Sequence, residues 1–103
     1  MFSGCKSLKS LDLNSFNTSN AGDMNSIFEN CISLEYLNID SFNTSLVYNM
    51  KKMFYNCNSL LSINIRNFQT SNVNYMDEMF YNCNSLLSLN LSNYQTQKLI
   101  KMN

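Results

Sequence analysis

The chain has 103 residues, with seven Lys plus Arg against seven Asp plus Glu, so its formal net charge is zero. That length accommodates one small domain, and the neutral balance offers no basic face to nucleic acid or to an anionic bilayer. Histidine is absent, which removes the commonest general base and the imidazole metal ligand, and with them Ser–His and Cys–His nucleophile pairs.

No catalytic residue, cofactor or metal ligand is assigned, and the chain reads as noncatalytic. No run approaches the roughly 18 apolar residues of a membrane-crossing helix, so this segment is not expected to insert in a bilayer. The opening residues MFSGCKSLKSLDL lack the unbroken apolar stretch of a secretory leader.

Cys5, Cys31, Cys57 and Cys83 are spaced 26 residues apart, and cutting the chain at that period aligns four units, 1–26, 27–52, 53–78 and 79–103, without a gap. The Phe column 2, 28, 54 and 80, the Leu column 8, 34, 60 and 86, the Thr column 18, 44, 70 and 96 and the Met column 24, 50, 76 and 102 are identical throughout. Exact repetition of apolar columns implies a solenoid in which like residues stack on like, and a single unit cannot bury enough surface alone.

Within a unit, Gly4, Asn30, Asn56 and Asn82 share a column just before Cys. Gly and Asn are the residues that most readily enter the left-handed region, so the column marks a backbone requirement. The Cys column follows. Its 26-residue spacing does not fit a metal motif, and parallel stacking holds the thiols too far apart for disulfides, so buried reduced thiols are expected.

Next comes L-x-x-L-x-L, as at Leu60, Ile63 and Ile65, where Ile63 and Ile65 share one strand face and Ser62, Asn64 and Arg66 the other. Beyond the turn with Phe68 and Thr70, the spacing of Val73, Met76, Met79 and Phe80 predicts one face of a short helix, with Thr70 or Ser71 as its N-cap. The same spacing recurs at Val47 to Phe54 and at Ala21 to Phe28. The amides Asn17, Asn43, Gln69 and Gln95 beside the Thr column are read as hydrogen-bonding along the stack or to turn backbone.

MFYNCNSLLSINIRNFQT (Met53–Thr70) and MFYNCNSLLSLNLSNYQT (Met79–Thr96) resemble the BspA-like leucine-rich repeat family, and the match extends over all four units. The expected architecture is therefore α/β: a right-handed leucine-rich repeat solenoid with a parallel sheet of short strands on one face and short helices on the other. The resemblance implies a cell-surface or extracellular adhesin-type protein without catalytic activity. The alternative is an intracellular scaffold or a passive spacer.

The exposed strand face is the candidate protein-binding surface: Tyr36, Asn38, Asp40, Ser62, Asn64, Arg66 and Asn90. Its columns change between units while the interior ones do not, and Tyr and Arg are enriched at binding hot spots. The expected partner is a protein, a host or matrix protein among them. The chain is further read as a segment of a longer array without capping units, prone to end-to-end self-association.

Overall fold

The structure, a computed structural model, describes residues 2–87. Successive units lie in parallel, one repeat out of step. Strand β1 (Ser10–Asp12) pairs with β2 (Tyr36–Asn38), Ser10 opposite Tyr36 and Leu11 opposite Leu37. A single bridge from Tyr36 to Ser62 carries the pairing into the third unit, and a second row of parallel bridges joins Asp23, Asn49 and Tyr75.

Each strand is short because the next polar residue ends it. Asp12 Oδ1 accepts the Asn14 N–H at 2.9 Å, Asn38 Oδ1 that of Asp40 at 3.0 Å, and Asn64 Oδ1 that of Arg66 at 3.2 Å. These are Asx turns, in which a side chain replaces the ladder partner and turns the backbone.

The expected helices do not form: among the described residues there is no helix, and the two short parallel strands are the only named elements. The α/β leucine-rich repeat architecture with a helical face is therefore corrected to a helix-free stack of turns and bridges. The backbone gives the reason. Ser26, Lys52 and Glu78, in the middle of each expected helix, have φ of 61°, 56° and 56°, and a left-handed residue there breaks helical propagation.

Two turns follow one another instead. Met53 N–H bonds to Met50 C=O across Lys52, and Cys57 N–H to Phe54 C=O across Asn56, at 3.2 and 3.1 Å. Each turn carries a positive φ at its third residue, the pattern of a type II turn. With no helix to start, the N-cap role expected of Thr70 or Ser71 does not arise.

The amide groups freed in this way point to the next unit. Met24, Ser26, Phe28 and Asn30 donate to the carbonyls of Asn49, Lys51, Met53 and Tyr55 at 2.7–3.0 Å, and Met50, Lys52, Phe54 and Asn56 repeat the pattern one unit on. A donor at every second residue is the periodicity of a ladder between segments. A helix would have spent the same N–H groups within itself. The strain of a left-handed Ser, Lys or Glu, about 1–2 kcal/mol each, is offset by these inter-unit bonds.

The interior consists of files of identical side chains. Phe2, Phe28, Phe54 and Phe80 stack with centroids 5.7, 5.6 and 5.3 Å apart and rings within 10° of parallel, which is offset stacking. Val47, Met50, Met53, Phe54 and Leu60 are fully buried, so the residues expected to face inward do so although the helix that was to present them is absent.

All four cysteines are free thiols. Cys31, Cys57 and Cys83 donate to the carbonyls of Phe2, Phe28 and Phe54 in the preceding unit, each at 3.1 Å. Those carbonyls also accept the N–H of Cys5, Cys31 and Cys57, so one carbonyl closes a turn and ties two units together. Burial pushes the Cys83 thiol up to about 11. Cys57 is raised too, by the neighbouring Cys31 thiol and by its own burial.

Two polar columns act in the same way. Thr44 Oγ1 accepts from Gln69 N–H and donates to Gln69 C=O at 2.7 and 3.1 Å, as Thr18 does with Asn43 at 2.8 and 3.1 Å. Asn56 Nδ2 donates to Asn30 Oδ1, and Asn82 Nδ2 to Asn56 Oδ1, both at 2.9 Å. The amide ladder thus runs along the left-handed column. In the amide column beside Thr, Asn17 and Asn43 take the second of the two expected roles, accepting the turn N–H of Ser19 and Ser45 at 3.0 Å; Gln95 lies outside the described residues.

Candidate binding groove

The parallel pairing of β1 and β2, continued at Ser62, lays three units side by side and opens a shallow groove of about 360 Å³ across them. Its floor is Leu11, Leu37 and Ile63, one from each unit, and its walls are the polar residues that alternate with them along each segment. Parallel stacking at a fixed period aligns each set across the units: the floor residues follow one another at 26-residue intervals, as do the wall residues Ser10, Tyr36 and Ser62.

Of the residues expected on the binding face, Tyr36, Asn38, Asp40, Ser62 and Asn64 all line this groove. Arg66 stands beside it, with its Nε 3.5 Å from Asn64 Oδ1. Asn90 lies outside the described residues. Ser10 and Asp12, from the same columns in the first unit, complete the wall.

The floor was missed. Leu11, Leu37 and Ile63 occupy the central position of L-x-x-L-x-L and read as core alone; Leu37 is buried and Leu11 and Ile63 pack half-buried against the core, yet all three also line the groove. Their flanks carry no signal for this, because Leu13, Ile39 and Ile65 also have polar neighbours on both sides and are buried.

The wall residues differ in how much freedom they keep. Asp12, Asn38 and Asn64 each commit one oxygen to an Asx turn, and Asn64 Nδ2 also donates to Asp40 Oδ1 at 3.2 Å. Their presence has a structural explanation, so they frame the groove more than they define its preference. Tyr36 is different: it lies 57% exposed on the wall, with an amphipathic ring standing over an apolar floor. Such a site can bury an apolar group against Leu37 and Tyr36 and satisfy polar groups at the Ser, Asn and Asp oxygens.

Among the described residues no cluster of three or more His, Cys, Asp or Glu is placed to hold a metal. No described helix is long and apolar enough to cross a membrane.

Fold and groove together define a repeat protein built from stacked 26-residue units that present one variable wall. The family described as Mycoplasma protein of unknown function, DUF285, matches residues 1–103, the whole chain, and the chain belongs to that family. Neither a curated protein nor a solved structure matches it.

Proposed function

We propose that the chain is a noncatalytic protein-binding scaffold, with the groove across β1, β2 and Ser62–Asn64 as its contact surface. One observation carries the reading. The Phe, Cys, Leu, Thr and Met files that hold the stack together are identical in every unit, whereas the wall column Ser10, Tyr36, Ser62 changes size, and the column of Asp40, with Asn14 and Arg66 beside the groove, changes charge from unit to unit. Repetition conserves what stacking needs, and the wall is among the columns left free to vary, where a partner would sit. An aromatic side chain on an open wall above an apolar floor is the arrangement of an interface anchor.

Resemblance of the repeat to BspA-like surface proteins directs the partner toward a host or matrix protein and the chain toward the cell surface. The alternative roles of intracellular scaffold and passive spacer have no observation of their own in their favour.

The test is selection of binding peptides from a random library, followed by NMR mapping on the labelled chain. Perturbations should centre on Tyr36, Ser62 and Asn64, and Y36A should weaken binding by about tenfold or more, the loss of one anchoring aromatic. Binders that map to another surface, or that ignore Y36A, overturn the assignment of the groove.

A further inference from the structure

The groove is not electrically neutral. Its lining holds two carboxylates, Asp12 and Asp40, and neither a lysine nor an arginine. Local structure uses an oxygen at both positions and has no use for the charge. Asp12 Oδ1 closes an Asx turn by accepting the Asn14 N–H, and Asn38 and Asn64 close the same turn in the same column with an amide oxygen. Asp40 Oδ1 accepts Asn64 Nδ2 at 3.2 Å, a bond that an amide oxygen makes as well, and its column holds Asn14 one unit earlier. Both donors are neutral, so the stack does not account for either negative charge.

The two charges also stand at one end of the groove. Ser10 pairs in register with Tyr36 and Asp12 with Asn38, which sets Asp12 two residues, about 7 Å, along the strands from the level of the exposed Tyr36 ring. Asp40 follows Asn38 at the same end, and the apolar floor of Leu11 and Leu37 lies between. Arg66 belongs to the third unit, beside Asn64, so the acidic end is weighted toward the first two units.

We infer that the partner of this groove is basic: an extended peptide segment lays an apolar side chain over Leu37 beside Tyr36 and directs a lysine or arginine, two residues away, at Asp12 and Asp40. This rests on the reading of the groove as a protein-contact surface and adds the chemistry of the partner. Side chains two apart on an extended chain face the same way, about 7 Å from one another, which is the interval between the ring and the carboxylate end. Charge complementarity selects the cation, because an acidic segment would be repelled by both carboxylates at once. With a formal net charge of zero over the chain, the preference is local and is weakened by salt.

Two capped heptapeptides test this, Gly-Ser-Leu-Ser-Lys-Ser-Gly and the same sequence with Glu in place of Lys, each titrated into the isotope-labelled chain and followed by NMR. The lysine peptide should shift the amide signals of Tyr36, Leu37 and Asp40. It should bind about fivefold or more tightly than the glutamate peptide in dilute buffer, and the ratio should shrink at about 0.3 M salt. The D12N/D40N double variant should bring the ratio close to one and unfold near the wild type, because both amides keep the Oδ1 acceptor. Equal affinity of the two peptides at the groove, or a lysine preference that survives in the double variant, overturns the charge preference and leaves the groove standing. A lysine peptide that moves no groove signal overturns it too, and the groove itself is then judged by the random-library mapping, which imposes no charge. Groove shifts produced by chitotriose in place of the peptide, or by concentrating the chain alone, would assign the surface to a sugar or to a second copy and overturn it likewise.

Discussion

Replacing Thr44 by Val tests the stacking mechanism at one atom. The two side chains are nearly equal in volume, so no cavity opens, and only the hydroxyl is lost. That hydroxyl is 1% exposed with its residue and makes two bonds to Gln69 of the next unit, accepting its N–H at 2.7 Å and donating to its C=O at 3.1 Å. Two bonds at about 1 kcal/mol each, plus about 1 kcal/mol for a backbone donor left facing a methyl group, give a loss near 3 kcal/mol. Burying the new methyl returns about 0.8 kcal/mol, so the net cost is about 2 kcal/mol. For a domain of this size that lowers the melting temperature by roughly 8–16 °C. T18V supplies the internal control: Thr18 makes the same two bonds to Asn43 but is only half-buried, so water can replace what is lost. Its cost should be under about 1 kcal/mol. Urea unfolding of both variants followed by circular dichroism measures the difference. A T44V variant within about 0.5 kcal/mol of wild type, or a T18V variant that loses more than T44V, would refute the claim that these hydroxyls tie the units together.

Two further outcomes follow from the same files of side chains. The Cys83 thiol titrates near 11 in the folded chain against 9.0 for the unperturbed group. Above pH 9 the unfolded chain therefore releases a proton that the folded chain retains, and stability falls as pH rises toward 11, by at most about 1.4 kcal/mol per pH unit for each such thiol. Urea midpoints should fall between pH 8 and 10 by less in C83A than in wild type; equal slopes would show that the thiol is not protected by folding. At Asn56, with φ of 62° and a place in the amide ladder, Gly keeps the conformation and loses only the ladder, whereas Ala loses the ladder and adds strain. N56A should therefore be less stable than N56G by about 1 kcal/mol in urea unfolding, and the reverse order would remove the argument from backbone conformation.

Much of this arrangement is legible in the residues. A period of 26 places Phe on Phe and Cys on Cys, and the inward positions Val47, Met50, Met53 and Phe54 are all buried as their spacing implies. The column Gly4, Asn30, Asn56 and Asn82 signals left-handed backbone, and all four residues have positive φ. Five of the seven residues expected on the binding face line a single groove. The helix was misread because apolar residues three apart look alike whether they recur on a helical turn or on consecutive tight turns. The deciding residues are Ser26, Lys52 and Glu78. None of them is a type that favours positive φ, so nothing in that column announces the second turn. Its conformation is imposed by hydrogen bonds from the neighbouring unit, and residue identity alone does not encode those.

The functions of the Thr and Cys columns were hidden for a related reason. A buried thiol and a buried hydroxyl both look like small core residues until a carbonyl from another unit is placed beside them, as Phe28 C=O is beside Cys57 and Gln69 C=O beside Thr44. Once those partners are known, invariance in these columns has a cause: each position must satisfy two backbone groups at once. The wall of the groove carries no such obligation except at Asp12, Asn38 and Asn64, where the side-chain oxygen ends the strand. Ser10, Tyr36 and Ser62 are therefore free to differ without disturbing the stack. Substituting one of these wall residues per unit therefore leaves every bond that holds the units together in place.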